Sequence, residues 1–262
     1  MSKIRDSFER ARQSGEKAFI PFITGGDPDI ETTEKLIYAL AEAGADIIEI
    51  GIPFSDPVAE GPVIEAADER ALKAGCTVNH LFELVRRARV TVKIPLLFMT
   101  YYNPIFAYGV DQFTANCKAC GIDGLIVPDL PFEERDELLL PCQSQGLELI
   151  SLIAPTSEDR IAAIAQNSDG FLYCVSSLGT TGERSAVNNS ASSMIAHARQ
   201  ISNIPCAVGF GISNPEQARE IAQYADGVIV GSAIVRIAGE HGRDCVEPVY
   251  QFAKSIKQAI SN

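Results

Sequence analysis

The apolar positions of this chain gather into eight short runs rich in Ile, Val, Leu and Phe, at about 18–23, 46–50, 94–99, 124–127, 147–153, 170–175, 204–208 and 227–230. Runs of this kind mark strands that are covered on both faces. Between them apolar residues recur at helical spacing, over about 29–43, 110–120, 133–145, 157–167, 190–202 and 214–224. The longer second interval holds two such stretches, near 61–74 and 78–90. A helix over 2–14 precedes the first strand, with Ile4, Phe8 and Ala11 on one face and Gly15 as its C-cap. A last helix over 245–260 aligns Val249, Phe252, Ile256 and Ile260. No linker interrupts the alternation, and no residue-level repeat is visible beyond it. Eight strands alternating with helices predict a parallel sheet, and eight is the number that closes into an edgeless barrel. The expected fold is therefore α/β, a single (β/α)8 barrel domain over residues 1–262, with an extra N-terminal helix and extended loops after strands 2 and 6. An open doubly wound sheet is the alternative.

Composition supports a large core and removes some partners. Of 262 residues 46% are apolar, and the net charge is −12 with no basic stripe, against nucleic acid or an anionic membrane surface as partner. The N-terminus lacks an apolar signal region and no run reaches 18 apolar residues, so the expectation is a cytoplasmic protein. Seven scattered cysteines read as reduced thiols, and Cys117-x-x-Cys120, on an expected helix, reads as core packing.

The exception among the apolar runs is Glu49, inside DIIEIG. A carboxylate there is costly to desolvate, so it is paired, protonated or retained for chemistry. No Lys or Arg occupies a strand interior to neutralise it, which favours catalysis over a structural ion pair. The loop that follows, PFSDPVAEG, brings Asp56 and Glu60 back over the strand end. Glu60 reads equally as the first-turn acid of the next helix, and Asp56 as the Asx turn before Pro57. Asp27 and Asp29 read as N-caps of the next helix, and Asp129 as a loop brace.

The other strand ends complete the pattern, because barrel chemistry sits where strands end and βα-loops begin. Gly209-Phe210-Gly211 and Gly231-Ser232 follow strands seven and eight, where backbone N–H groups and a helix N-terminus can cradle a phosphate. Residues 176–190, rich in Gly, Ser, Thr and Asn, form a long connection expected to overhang that site as a lid. Phe22, Tyr173 and Phe210 suit an aromatic part of a substrate. His80, His197 and His241 lie away from strand ends, and no lysine occupies the C-terminal half of a strand. A His-ligated metal, a Ser-His triad and a Schiff base are therefore not expected. Acid–base work by carboxylates on a phosphorylated substrate, with no metal, is what remains.

At these residues the chain resembles the tryptophan synthase alpha chain family, through FIPFITGGDPD, IEIGIPFSDPVAEGP, YYNPIFAYG, GLIVPDLP, VSSLGTTGER, VGFGIS and VGSAIV. The resemblance implies a TIM barrel that cleaves indole-3-glycerol phosphate by retro-aldol chemistry, in the last steps of L-tryptophan biosynthesis. It implies no cofactor of the chain's own, and an α2β2 partnership with a beta chain that carries pyridoxal phosphate. By the same resemblance Glu49 matches the catalytic glutamate and Thr181 the lid threonine. Gly182, Gly211, Gly231 and Ser232 match phosphate-binding positions, and Phe22, Tyr173 and Phe210 match pocket positions. Asp56 and Pro57 match the segment that faces the beta chain. One departure stands out: the family's second carboxylate is an aspartate in ADGP, where this chain has Glu60 in AEGP. The free acids differ by only about 0.4 pKa unit, but the reach grows by one methylene. Two other expectations stay open: a barrel isomerase with similar phosphate loops, and a catalytically weak alpha-like subunit that mainly activates a beta chain.

Overall fold

The computed structural model describes residues 2–154, 157, 160–175, 184–209 and 211–261, with only the backbone described over 184–190. Helix α1 (Lys3–Gln13) leads into β1 (Ala18–Thr24), followed by α2 (Ile30–Glu42), β2 (Ile48–Gly51), α3 (Pro62–Lys73), α4 (Val78–Ala88) and β3 (Leu96–Met99). Next come α5 (Tyr102–Tyr108), α6 (Val110–Cys120), β4 (Gly124–Ile126), α7 (Asp136–Gln145), β5 (Glu148–Ile153), α8 (Ile161–Gln166) and β6 (Leu172–Val175). The chain ends with α9 (Arg184–Ile201), β7 (Cys206–Gly209), α10 (Pro215–Ala222), β8 (Gly227–Val230), α11 (Ser232–His241) and α12 (Val246–Ile260). The strands pair in parallel in chain order, and β8 returns to β1 through Ala18↔Gly227 and Pro21↔Val230. The sheet is a closed barrel, the expected architecture, and all strand C-termini open onto one mouth.

Two cores follow from the alternation of side chains across each strand. One lies between sheet and outer helices, and there Phe19, Ile48, Ile50, Phe98 and Val208 meet the apolar faces of the helices. The other fills the barrel, with Ile20, Ile47, Leu97, Ile126 and Ile229. Helix α1 belongs to this inner core: Ile4, Phe8 and Ala11 plug the N-terminal end, and the Phe8 ring lies 5.3 Å from that of Phe171.

Three expectations about local structure need correction. Helix α5 was hidden because YNPIFAY holds a proline and few strong helix formers; in the first turn Pro104 has no intrahelical donor to lose. Helix α11 was hidden by β-branched residues and Gly239 in SAIVRIAGEH. Helix α9 begins at Arg184, inside the stretch read as loop to 190. Packing on the barrel outweighs weak local propensity in all three cases.

One bonding pattern recurs on the barrel floor. Asp46, Asp123 and Asp226 each stand at the entry of an even-numbered strand and accept the backbone N–H of the preceding strand's Phe19, Leu96 or Cys206, at 2.8, 3.1 and 2.9 Å. Each also holds a cation: Lys257 at 2.9 Å, Arg89, and Arg199 at 2.8 Å. The motif is only one residue long, so it surfaces only when strand neighbours are known.

Replacing Phe8 by Ala empties the plug of the barrel floor. The expected cost is about 3–5 kcal/mol of unfolding free energy, seen as a lower urea midpoint at unchanged slope. A loss below about 1 kcal/mol would mean that α1 does not support the barrel.

Candidate active site

Glu49 lies on β2, in register with Phe22 of β1 and Leu97 of β3. Its side chain is fully buried, and neither carboxyl oxygen has a hydrogen-bond partner. Burial drives its pKa well above the ordinary carboxylate value, favouring the neutral, proton-carrying form. Tyr173, on β6, is buried in the same interior; burial and, second, the charge of Glu49 raise its hydroxyl pKa well above the ordinary value. A buried carboxyl with no partner contributes nothing to folding that an apolar residue would not do better, which makes Glu49 the first candidate for chemistry.

The pocket around it is shaped by two rings and the glycines that admit them. A Cβ on Gly51 would stand 2.6 Å from Phe22 Cζ, and one on Gly209 would stand 2.5 Å from Tyr173 Oη. Phe22 packs against Val63, Ile64 and Ala67 of α3 and Val235 of α11. It thereby ties the strand beside Glu49 to both helices that border the mouth. Gly231 lies over Phe22 and is the N-cap of α11, whose first residue, Ser232, is exposed. The first N–H groups of that helix lack intrahelical acceptors and, with the helix dipole, suit an anion. Gly211, exposed after β7, has φ +72°, a left-handed conformation that favours glycine.

Glu60 ends the β2–α3 loop and is half-buried. It does not cap α3, whose N-cap is Gly61 with no side-chain cap. Asp68, two turns into α3, and the Tyr101 hydroxyl are its polar neighbours. Desolvation, opposed by these contacts and reinforced by Glu65, raises its pKa. Asp68 is itself buried, and burial first, then the Glu60 charge, push it up to about 8. Tyr101 accepts the Ala59 N–H at 3.0 Å, and its ring lies 5.6 Å from that of Phe54.

The remaining acids are braces of different kinds. Asp29 is the N-cap of α2, accepting the Thr32 N–H at 2.8 Å. Asp27 does not cap that helix; it is buried and takes a two-pronged bond from Arg70, 2.8 Å at each oxygen. Asp129 accepts the Tyr102 N–H at 3.0 Å, and exposed Asp56 accepts the Ser55 hydroxyl at 2.5 Å, next to Pro57. All seven cysteines are buried free thiols, Cys117 and Cys120 in the outer core. Thr181, Gly182 and Phe210, and the start of the expected lid, lie outside the described residues. Asp68 is the residue near Glu60 that sequence reasoning passed over; Tyr101 was seen only as part of the YYNPIFAYG motif. The signal for Asp68 was an acid on the alanine face of its helix, beside Ala67 and Ala71.

Fold and site together define a class: a parallel (β/α)8 barrel with a buried unpaired carboxyl on β2, a second acid in the loop that follows it, and glycines after β7 and β8. The tryptophan synthase alpha chain family model matches residues 8–261. The tryptophan synthase alpha chain of Thermoanaerobacter sp. (strain X514) is 46% identical over 262 residues, covering 99% of this chain and all of that one. The one from Geobacter sulfurreducens is also 46% identical, with both chains fully covered. The crystal structure of tryptophan synthase subunit alpha from Legionella pneumophila str. Paris superposes with a TM-score of 0.90 at 38% identity, covering 99% of this chain and 98% of that one. The chain belongs to the tryptophan synthase alpha chain family.

The raised pKa of Glu49 has a stability signature. Above the ordinary carboxylate range the unfolded chain ionises this group while the folded chain resists, so stability falls as pH rises toward the folded value. Glu49→Gln removes that slope. Its stability relative to the parent is expected to rise between pH 5.5 and 7.5 by up to about 1.4 kcal/mol per pH unit, read from urea unfolding across that range. A pH-independent difference would show Glu49 to be ionised in the fold.

Proposed function

We propose that this chain is a lyase that cleaves indole-3-glycerol phosphate into indole and glyceraldehyde 3-phosphate. The observation that carries the reading is Glu49, a carboxyl buried and unpartnered inside the barrel, where burial raises its pKa. Glu49 delivers its proton to indole C3, which makes the ring a leaving group. The bond from C3 to the glycerol chain then breaks with its electron pair returning to the ring. The hydroxyl on the departing carbon gives up its proton as that carbon becomes the aldehyde. Glu60, as carboxylate, takes this proton or accepts a hydrogen bond from the indole N–H.

Phe22, Tyr173 and Phe210 hold the indole, while Gly182, Gly211, Gly231 and Ser232 hold the phosphate. Thr181 of the lid loop orients Glu60. Carboxyl groups suffice for these steps, so the chain uses no cofactor of its own, and pyridoxal phosphate belongs to a beta chain in an α2β2 assembly in the cytoplasm. Exposed apolar Val58, beside Asp56 and Pro57, and exposed Phe106 on α5 support a docking face there. The Tyr102 ring, 6.3 Å from that of Phe106, is next in sequence to Tyr101, which supports the Asp56 loop through Ala59.

The chain is expected to release glyceraldehyde 3-phosphate from indole-3-glycerol phosphate, followed by a coupled dehydrogenase, and to be stimulated by a beta chain. Glu49→Gln should lower kcat at least about 100-fold, and Glu60→Gln should also fall well below the parent. Beta-chain stimulation without cleavage would instead identify a subunit that activates its partner and does not cleave. For the docking face, Phe106→Glu should weaken beta-chain affinity at least about tenfold with the isolated alpha reaction unchanged. Unchanged titration of the beta reaction would place the interface elsewhere.

A further inference from the structure

Arg70 reaches from α3 to two other elements at once. Its guanidinium donates a two-pronged bond to Asp27 in the turn after β1, Nε to Oδ1 and Nη2 to Oδ2, each at 2.8 Å. Asp27 is 2% exposed and the Arg70 side chain 37%, so the cation comes to a buried acid from the rim. The guanidinium also lies against α11 at Gly239. A Cβ there would stand 2.9 Å from Nη2, 3.2 Å from Cζ and 3.3 Å from Nη1. Glycine is a poor residue inside a helix, and the room it leaves here is what the fork of Arg70 occupies. Asp27, Val235 and Ala238 line one small gap, which brings the acid itself up to the same helix.

The position of α11 matters because its N-terminus, at Gly231 and Ser232, faces the mouth. Near that end α3 and α11 meet through Phe22, which packs against Val63, Ile64 and Ala67 on one side and Val235 on the other. One apolar contact lets a helix pivot. Arg70, one turn beyond Ala67, supplies the second point of attachment, at Gly239. Val235 lies nearly midway between Ser232 and Gly239, so a shift at one end of a rigid α11 reappears, about as large, at the other. We infer that Arg70 is a positioning residue for the alpha reaction: locked by Asp27 against Gly239, it stops α11 from pivoting and holds that helix's first N–H groups on the substrate phosphate.

The inference rests on the proposed lyase reading, with Gly231 and Ser232 on the phosphate, and inorganic phosphate as a competitor of indole-3-glycerol phosphate separates the two. Arg70→Ala should raise KM and the inhibition constant of inorganic phosphate together, each about 10-fold, with kcat changed less than about 3-fold. Gly239→Ala keeps both charges, pushes the fork off its seat and should have the same effect. In the Arg70→Ala background Gly239→Ala should add nothing, because no fork is left to displace. If Arg70→Ala, which strands a buried carboxylate, does not fold, Gly239→Ala decides alone. Parent-like KM and phosphate inhibition in either single variant, whatever its urea midpoint, overturns the positioning role and leaves the ion pair structural. Additive losses in the double variant reject the junction as a unit. A parent that cleaves substrate but is not inhibited by phosphate overturns the phosphate reading of α11, and the role of Arg70 with it, while the lyase stands. A parent that does not cleave overturns the lyase reading itself.

Discussion

A buried carboxyl group that no cation or donor satisfies is a debt on folding, and Glu49 places it in the middle of a strand. The closed sheet makes that tolerable. Eight parallel strands leave no edge and bury two apolar cores, and a helix plugs the floor. The same closure brings the C-terminal ends of distant strands to one mouth. Without it Phe22, Glu49, Tyr173 and the loops after β7 and β8 would have no common site.

The two ends of the barrel treat acids in opposite ways. On the floor, Asp46, Asp123 and Asp226 are each bonded to a neighbouring strand's N–H and matched by a lysine or arginine. Bonded and matched in this way, they brace the sheet. At the mouth, Glu49 has no partner and Glu60 lies near another acid, Asp68. Both arrangements raise pKa and so keep protons available near neutral pH. Paired acids lie where the chain enters the strands, and acids with raised pKa where it leaves them.

The strands were legible because buried β-branched runs leave a periodic mark, and Glu49 was legible because it breaks one. The glycines after β7 and β8 could be read as an anion cradle because their position on the last two strands adds meaning to their type. Helices α5 and α11 were not legible: Pro104 and the β-branched residues of α11 weaken the helical pattern, and packing on the barrel restores it. The roles of Asp27 and Asp68 were hidden for a related reason. A capping acid and a buried acid look alike until the burial and the surroundings are known: Asp27 is paired with Arg70, and Asp68 is buried near Glu60.

Sequence by itself determined the βα alternation, the count of eight, the chemical type at the strand ends and the family. These depend on local patterning, which neighbouring residues fully record. Tertiary structure alone decided which acids are buried and which find a cation. It set Asp68 against Glu60, joined Asp46 to Phe19 and Lys257, and left Glu49 dry. Solvation and charge pairing act through space between residues that the chain keeps apart, so no stretch of sequence carries them.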